Sequence, residues 1–215
     1  MRFIVAKSLK QEVVQIQHKI TVFEGIGGSG KTTLIKNIYD SLHIRYVHED
    51  NHELPTTVHP DDMERHFVQR ALERFKTESV HPDKIVFDRS YLSAMAVMYA
   101  KQDGTLTPYL AHLVDFTLQD KTYFIDKLVI CCIDPIHAIS RRNHRDTALH
   151  PIWGNERLMR YANEFFQKKA DAFAGETLYV NTTFPFTESE IERLRERLIL
   201  ISLVSMITAT ILPSP

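Results

Sequence analysis

The 215-residue sequence predicts an α/β fold, in which a five-stranded parallel sheet carries helices on both faces. Five runs rich in apolar and β-branched residues recur along the chain, and amphipathic stretches separate each run from the next. A glycine-rich turn follows the first run and precedes a helical pattern. With 44% hydrophobic and 25% charged residues, the composition suits one sizeable core. The runs are KITVFE, IRYVHE, KIVFDR, KLVICCI and ETLYVN.

Apolar residues at helical spacing predict the helices between these strands. In HPDDMERHFVQRALERF, Asp61 stands three residues before Glu64, as in a capping box. Two helices, SYLSAMAVMYA and PYLAHLVDFTLQD, follow the third strand, and NERLMRYANEFFQKKADAF precedes the fifth. The first helix has its apolar positions at Leu34, Ile35, Ile38, Tyr39 and Leu42. The stripe expected to be buried in the second helix consists of Met63, Phe67, Ala71 and Phe75.

The last helix opens with Thr187 and Glu190 in capping-box register and runs into 15 uncharged residues, 198–212. This segment is shorter than the roughly 18 residues expected of a membrane span. We therefore expect a C-terminal helix over 187–212 that packs on the core, with membrane attachment through 198–212 as the alternative. Residues 1–18 are an N-terminal extension that adds an edge strand or a short helix. A single domain over 1–215 is expected.

The charge balance and the cysteines narrow the class of protein. Lys+Arg 26 against Asp+Glu 27 give a net charge of -1, which excludes a general attraction to nucleic acid or to an anionic membrane. Cys131 and Cys132 are neighbours in a predicted strand, so their side chains point to opposite faces and no disulfide is expected. A reducing, cytoplasmic environment is therefore expected.

The glycines are concentrated in one place. Of 7 glycines, four are Gly25, Gly27, Gly28 and Gly30, and GIGGSGKT fits the phosphate-loop motif G-x-x-x-x-G-K-[ST] up to Thr32. Glycine permits positive φ angles and lets a phosphate chain approach the backbone N–H groups. The positive end of the following helix lies beneath the anion. The sequence therefore predicts a phosphate-binding loop.

ATP and Mg²⁺ are the ligands expected at this loop. Lys31 is expected to be an exposed, flexible cation that meets the β- and γ-phosphates, and Thr32 supplies a hydroxyl for Mg²⁺. The residues expected to bind the nucleotide are Gly25, Gly27, Gly28, Ser29, Gly30, Lys31, Thr32 and Thr33.

A second polar cluster follows the third predicted strand. FDRSYLS places Asp88 and Arg89 at the carboxyl edge of the sheet, where ligands of open α/β folds bind. Asp88 can hold Mg²⁺ or its water, and the planar guanidinium of Arg89 can grip a phosphate. The alternative is a surface ion pair beyond the strand end.

A third cluster follows the fourth strand, where CCIDPIHAISRRNHRD carries Arg141, Arg142 and Arg145 within five positions. Such arginines can close over ATP and neutralise charge as a phosphoryl group transfers. We expect a lid over about residues 136–155. The alternative is a solvated helix face.

In their order and spacing, these motifs resemble the thymidylate kinase and deoxynucleoside kinase group of P-loop kinases. FEGIGGSGKTT is similar to the group's Phe-Glu-Gly opening and phosphate loop, FDRSYLS to its Asp/Glu-Arg motif, and IDPIHAISRRNHRD to its arginine-bearing lid. The resemblance covers residues 19 to about 197 and implies a P-loop NTPase fold. The catalytic residues that it implies are Lys31, Asp88, Arg89, Arg141, Arg142 and Arg145.

The resemblance leaves the acceptor open. Thymidylate kinases usually carry an acid at the position of Gly27 and an Arg-Glu-Pro-Gly stretch after the second strand, where this chain has VHEDNHELP. Glu49 instead resembles the general base that deoxynucleoside kinases aim at a 5′-hydroxyl, with Asp50 as its substitute, and DRS also resembles those enzymes. HFVQRALERF is similar to their helix with Phe and Gln. The substrate-binding residues implied are Phe67, Gln69, Arg70, Arg74 and Arg89.

We therefore expect ATP-dependent phosphorylation of a small-molecule nucleoside or nucleoside monophosphate, with the monophosphate slightly favoured by the family pattern. Glu49 would act as general base on a hydroxyl acceptor. Neither nucleic acid nor a membrane is expected as partner, and a homodimer is left open. The competing class is a nucleotide-binding switch that hydrolyses slowly, but the guanine-reading Asn-Lys-x-Asp motif of GTPases is absent from the sequence.

Overall fold

The sheet of the protein has five strands, all parallel, which confirms the predicted fold class. The computed structural model describes residues 19–39, 42, 44–48, 62–142 and 151–200. The strand order is β2-β3-β1-β4-β5, and each predicted run forms one strand. The strands are β1 (Ile20–Glu24), β2 (Arg45–Val47), β3 (Ile85–Asp88), β4 (Ile125–Cys132) and β5 (Ala174–Asn181).

The predicted helices form between these strands. They are α1 (Lys31–Tyr39), α2 (Met63–Ser79), α3 (Tyr91–Lys101), α4 (Pro108–Gln119), α5 (Pro135–Arg142), α6 (Glu156–Lys169) and α7 (Glu188–Arg195). A 3₁₀ turn, Pro151–Gly154, precedes α6, and a π turn, Glu196–Leu200, continues α7. The predicted capping box of α7 is confirmed, because Thr187 Oγ1 accepts from Glu190 N and the Glu190 carboxylate accepts from Thr187 N.

Two apolar clusters cover the two faces of the sheet. Helices α2, α3, α4 and α6 pack on one face through side chains such as Phe75 and Phe165. On the other face, α1 and α7 pack around Leu34 and its neighbours. Cys131 belongs to the second cluster, whereas Cys132 packs against the first, and both are free thiols. The prediction that the two cysteines point to opposite faces is therefore confirmed.

The buried stripe of α2 differs from the predicted one. Val68, Leu72 and Phe75 are buried, whereas Met63, Phe67 and Ala71 are only half-buried. A strict four-residue spacing drifts by about 40° per step around a helix with 3.6 residues per turn, so the predicted stripe reaches the core face only at Phe75. At the helix start, Asp61 lies outside the described residues, and Asp62 is an N-cap without a side-chain cap bond.

The C-terminal segment is described only at its start. Leu198 and Ile199 pack in the cluster around α1, as expected for a terminal helix on the core. Residues 201–212 and the predicted N-terminal extension, 1–18, lie outside the described residues. In the part of the chain that the structure describes, no helix has the length and apolar character needed to cross a bilayer.

The strand register brings the polar ends of β1 and β3 together. Phe23 of β1 is level with Asp88 of β3, and Arg89 N donates a hydrogen bond to Phe23 O at 3.0 Å. On the other side of β1, Glu24 is level with Ile130 of β4. The residues that follow β1 and β3 therefore meet at the carboxyl edge of the sheet, where parallel α/β sheets bind their ligands.

Candidate active site

The phosphate-loop motif forms the connection between β1 and α1. Gly25, Gly28 and Gly30 have φ angles of 138°, 84° and 82°, which side-chain-bearing residues rarely adopt. At Gly25 a Cβ would also lie 2.6 Å from Cys131 O, in the neighbouring strand. Leu34 N donates to Gly30 O at 3.0 Å, so α1 begins directly at the end of the loop. The N-terminus of α1, with its positive dipole end, is therefore next to the loop.

Lys31 lies inside the loop, and the expectation that it is exposed is wrong. Its side chain folds back over the loop, with only 5% of the residue exposed. The ammonium donates to Gly25 O at 3.0 Å, to Ile26 O at 3.1 Å and to Ser29 Oγ at 3.2 Å. The reason is that the loop wraps around the first turn of α1 and presents these oxygens to it. A cation is thus held at the centre of the predicted phosphate site.

Thr32 and Asp88 are brought into contact across the sheet edge. Thr32 Oγ1 donates to Asp88 Oδ2 at 2.5 Å, and Tyr46 OH donates to the same oxygen at 3.0 Å. Asp88 Oδ1 is buried and has no hydrogen-bond partner among the described residues. A buried carboxylate oxygen without a partner is costly unless a cation or a donor reaches it. Tyr46, which sequence reasoning missed, thus fixes the orientation of the carboxylate.

The Thr32–Asp88 pair fits a magnesium ion. A hydroxyl and a carboxylate are hard oxygen ligands, and the partnerless Asp88 Oδ1 is available to a cation or to its water. Within the described residues, no group of three or more His, Cys, Asp and Glu side chains converges as a metal cage. Magnesium sites in phosphoryl-transfer proteins commonly use one or two protein ligands and complete the shell with phosphate oxygens and water.

Arg89 stands beside this pair in an unusual conformation. Its φ is 68°, in the left-handed region that non-glycine residues occupy only when their surroundings fix them there. Nη1 donates to Gly25 O at 3.1 Å and to Ser93 Oγ at 3.0 Å. The Arg89 Cζ atom lies 4.9 Å from the ring centroid of Trp153. The guanidinium is therefore fixed between the phosphate loop, α3 and an aromatic ring.

Glu24 is a buried acid that sequence reasoning quoted within a motif but gave no role. Its carboxylate accepts from Ser90 N at 2.7 Å and from Ser90 Oγ at 2.8 Å, and Ser93 Oγ donates to its other oxygen. Burial raises the pKa of Glu24, while the hydrogen bond from Ser93 and the charge of Arg89 oppose that rise. An acid at the end of an otherwise apolar strand was the signal that could have identified it. Glu24 anchors the start of α3 below Arg89.

Of the three arginines predicted to belong to a lid, the structure describes two. Arg141 Nη2 donates to Thr183 O at 2.6 Å, and a Cβ at Gly30 would lie 3.9 Å from Arg141 Nη1. Arg142 is only 8% exposed, and its Nη1 donates to Trp153 O at 3.2 Å. Both arginines therefore lie against the phosphate loop at the end of α5. Arg145 lies outside the described residues.

Gly27 is required by packing rather than by its backbone angle. Its φ is not positive, unlike those of Gly25, Gly28 and Gly30. A Cβ at position 27 would lie 2.4 Å from Arg142 Nη1 and 2.8 Å from Trp153 Cγ. The place at which thymidylate kinases usually carry an acid is thus filled here by two side chains from beyond β4.

The predicted substrate residues of α2 diverge in position. Arg74 Nη1 donates to His48 O at 2.8 Å, and its Nη2 donates to Arg89 O at 2.9 Å. Arg70 and Phe67 are half-buried, whereas Gln69 is exposed and lies about 140° around the helix from Arg74. The structure therefore places Arg74 at the site as a support for the backbone after β2 and β3.

Of the other predicted site residues, Thr33 is described by the structure, whereas Glu49 and Asp50 are not. Glu49 and Asp50, the candidate general bases, follow His48 directly but lie outside the described residues. Thr33 is described, and its side chain is exposed on the first turn of α1.

Known proteins share this fold without close sequence similarity. No protein-family model matches the sequence, and no curated protein does. Deoxyadenosine kinase from M. mycoides with bound dATP is 16% identical, with a TM-score of 0.61 over 83% of this chain and 98% of that one. The same kinase with the products dCMP and a flexible dCDP bound is 17% identical, with a TM-score of 0.61 over 83% and 97%.

The kinase with bound dCTP is also similar, at 18% identity and a TM-score of 0.53 over 83% of this chain and 98% of that one. The chain therefore has the P-loop kinase fold of the deoxynucleoside kinase and thymidylate kinase-like group. At these identities, the likeness concerns the fold. What the site does must be argued from its own residues.

Proposed function

We propose that the protein transfers the γ-phosphoryl group of ATP to a small nucleoside-type acceptor, and that the acceptor group is a hydroxyl of a deoxynucleoside. One observation carries the proposal. The Thr32 hydroxyl, the Asp88 carboxylate with its partnerless oxygen and the Arg89 guanidinium converge beside a phosphate-loop lysine. Phosphoryl transfer requires this combination of groups: hydrogen-bond donors that position the phosphate, a ligand for the metal ion, and a cation.

The donor nucleotide would lie against the loop over residues 25–30. The N-terminus of α1 and the loop N–H groups hold the phosphates, and the ammonium of Lys31 is already inside the loop. Lys31 needs only to exchange its carbonyl partners for phosphate oxygens. Because no covalent chemistry by the protein is required, such positioning supplies much of the rate enhancement.

Thr32 and Asp88 would hold Mg²⁺. When bound, the ion would neutralise the negative charge that develops during phosphoryl transfer. Tyr46 and Thr32 both donate to Asp88 Oδ2, and the other oxygen, Oδ1, is buried without a hydrogen-bond partner among the described residues. The chain's own contribution at this point is therefore a pre-oriented carboxylate.

Three arginines surround the place where charge develops. Arg89 is fixed at the loop by Gly25 O and Ser93 Oγ. Arg141 and Arg142 approach the same loop from α5. Cations that are already in place stabilise a charged transition state without reorganisation, which is the usual origin of large electrostatic rate effects.

The choice of acceptor rests on Arg74 and on the structural relatives. Both terminal nitrogens of Arg74 donate to backbone carbonyls, so its guanidinium serves the protein rather than an acceptor phosphate. Similar structures are deoxyadenosine kinases. A hydroxyl acceptor profits from a nearby carboxylate, and Glu49 is the predicted general base. A nucleoside monophosphate is the second candidate, because Arg70 lies on the same side of α2 as Arg74.

A substrate panel tests the proposal. The full chain is incubated with ATP, Mg²⁺ and single nucleosides or nucleoside monophosphates, and product masses are measured. A new monophosphate from a deoxynucleoside is the expected result, and Glu49→Gln should then lower kcat by roughly 10²-fold or more, as for the loss of a general base. Diphosphates formed only from monophosphates would move the proposal to the second candidate. ATP hydrolysis without an acceptor product would indicate the nucleotide-binding switch.

A further inference from the structure

Trp153 is the one tryptophan of the chain, and it lies in the turn Pro151–Gly154 between α5 and α6. Only 7% of the residue is exposed. Its ring lies over Arg89, with 4.9 Å between the guanidinium carbon and the ring centroid, and its carbonyl accepts from Arg142. A cation within about 6 Å of an aromatic face is attracted by the ring, more strongly away from water. The indole and the guanidinium thus form a buried pair beside the phosphate loop.

Arg89 is also held by hydrogen bonds to its side chain and to its backbone. Nη1 is held at its edge by Gly25 O and Ser93 Oγ, and the backbone N–H donates to Phe23 O. A left-handed φ at a long side chain persists only where surrounding contacts over-determine it. The ring of Trp153 adds an aromatic contact to the hydrogen bonds that restrain the guanidinium.

The same ring determines what position 27 can be. A Cβ there would lie 2.8 Å from Trp153 Cγ and 3.0 Å from Trp153 Cβ. These two atoms are at the root of the indole and cannot swing aside, whereas Arg142 Nη1, at 2.4 Å, is the end of a flexible side chain. Because the φ of Gly27 is not positive, the obstacle to a side chain is steric.

We propose that Trp153 is a positioning residue. It fixes the Arg89 guanidinium beside the phosphate loop, and its ring makes glycine obligatory at position 27. The first half rests on the proposed function, because it takes Arg89 as a contact of the transferring or accepted phosphate. The second half is steric and independent of activity.

Two substitutions separate the aromatic face from mere bulk. Trp153→Phe keeps a ring over Arg89, whereas Trp153→Leu fills space without a π face. We expect Trp153→Leu to lower kcat/KM for the acceptor by roughly 5–30-fold, and Trp153→Phe by less than about 3-fold. In an Arg89→Lys background, where no planar guanidinium stacks, Trp153→Leu should cost less than about 2-fold. A purely structural role would produce the same loss in both backgrounds.

Thermal unfolding tests the steric half. We expect Gly27→Ala to lower Tm by roughly 3–10 °C, as overpacking does, and by roughly half as much in a Trp153→Ala background, which removes Cγ at 2.8 Å but keeps Cβ at 3.0 Å. Gly28→Ala is the matched control. At Gly28 the φ is 84° and a Cβ would lie 2.5 Å from Ala138 O, so Trp153→Ala should not relieve the cost of that substitution.

The outcomes distinguish this inference from the proposed function. If the wild-type chain phosphorylates an acceptor and Trp153→Leu equals Trp153→Phe, Trp153 does not position Arg89. If Gly27→Ala costs the same Tm with and without Trp153, the ring does not restrict position 27. If the wild-type chain phosphorylates nothing, the proposed function fails. In that case the pairing is tested by a double-mutant cycle, in which the Tm values of Arg89→Lys, Trp153→Leu and the double variant are compared with that of the wild type. If the two single effects simply add, Trp153 and Arg89 do not interact and the inference is overturned.

Discussion

The two edges of the sheet both bury charged side chains, but they use them differently. At the carboxyl edge, Asp88 retains a buried oxygen without a partner, and Arg89 has a left-handed φ. At the amino edge, Asp126 accepts from Lys19 N at 3.1 Å and from Ile20 N at 2.8 Å. Lys127, which is fully buried, donates to Arg197 O at 2.8 Å and pairs with Glu176 at 3.2 Å.

This difference separates structural charge from functional charge. At the amino edge, the charges of Asp126 and Lys127 are used to attach β1 and the end of α7 to the sheet. At the carboxyl edge, Lys31 lies within the glycine loop and Asp88 ends β3 beside it, and one oxygen of Asp88 has no partner among the described residues. Buried polar groups are normally satisfied, so an unsatisfied oxygen beside a strained residue is the signature of a binding site.

The largest expected effect comes from the two buried lysines. Lys31→Met should lower kcat/KM by at least roughly 10²–10³-fold, since it removes the cation that the site offers to the transferring phosphate. The matched variant Lys127→Met should keep transfer near the wild-type rate. It should lower Tm by about 2–10 °C, because the Arg197 carbonyl and Glu176 lose their partner. Steady-state kinetics and thermal unfolding check both. Normal turnover of Lys31→Met would show that the buried charge at the carboxyl edge is not needed for transfer.

Asp88, at the carboxyl edge, and Asp126, at the amino edge, should differ in the same way, with a smaller effect on transfer. Asp88→Asn should lower kcat by about 10²-fold and raise the Mg²⁺ concentration needed for half-maximal rate, because it removes the charge of a metal ligand. Calorimetric titration of the nucleotide-loaded protein with Mg²⁺ gives a second measurement, without turnover. Asp126→Asn should leave both quantities unchanged. Equal Mg²⁺ affinity in wild type and Asp88→Asn would show that Asp88 does not hold the ion.

Tyr46→Phe should have an intermediate effect. Its hydroxyl donates to Asp88 Oδ2, and the loss of one hydrogen bond to a charged group corresponds to roughly a tenfold change in rate or in Mg²⁺ half-saturation. Tyr179→Phe removes a comparable bond, from Tyr179 OH to Asp171 at 2.8 Å, on an exposed surface of β5. Kinetics at varied Mg²⁺ should distinguish the two. A wild-type Mg²⁺ profile in Tyr46→Phe would reduce Tyr46 to a packing residue.

The sequence predicted what depends on local pattern. All five strands, the phosphate loop and the capping box of Thr187 follow from spacing within a few residues. The burial of Lys31, the ring of Trp153 over Arg89 and the partners of Glu24 depend on which segments the fold brings together. Strand register and loop closure set those contacts, and no local period encodes them.

Gly27 shows how the two kinds of information combine. Its place in the motif was predicted, together with a reason that applies to all four loop glycines. In the structure, Gly25, Gly28 and Gly30 are required because their φ angles are positive. Gly27 is required because two side chains from beyond β4 leave no room for a Cβ atom. A motif can therefore identify a residue correctly while its cause lies about a hundred residues further along the chain.

The smallest expected effect concerns Lys84, which precedes β3 at the amino edge. The pKa of its ammonium is lowered from 10.5 to about 8, mainly by burial and also by the positive charge of Lys127, while Asp126 opposes the shift. Below about pH 8 the ammonium is charged in the folded and unfolded states, so its burial destabilises the fold in full. Between pH 8 and 10.5 the unfolded state binds more protons, so stability rises with pH.

Lys84→Met should therefore raise Tm at pH 7, by roughly 1–3 °C, and this gain should shrink as the pH approaches 10. Lys36→Met, at an exposed position of α1, controls for the general loss of one positive charge. Transfer at pH 7 should be unchanged in both variants, since neither lysine lies at the carboxyl edge. Thermal unfolding from pH 6 to 10 measures the difference from wild type. If the gain in Tm for Lys84→Met stayed constant or grew with pH, the pKa of Lys84 would not be lowered in the folded protein.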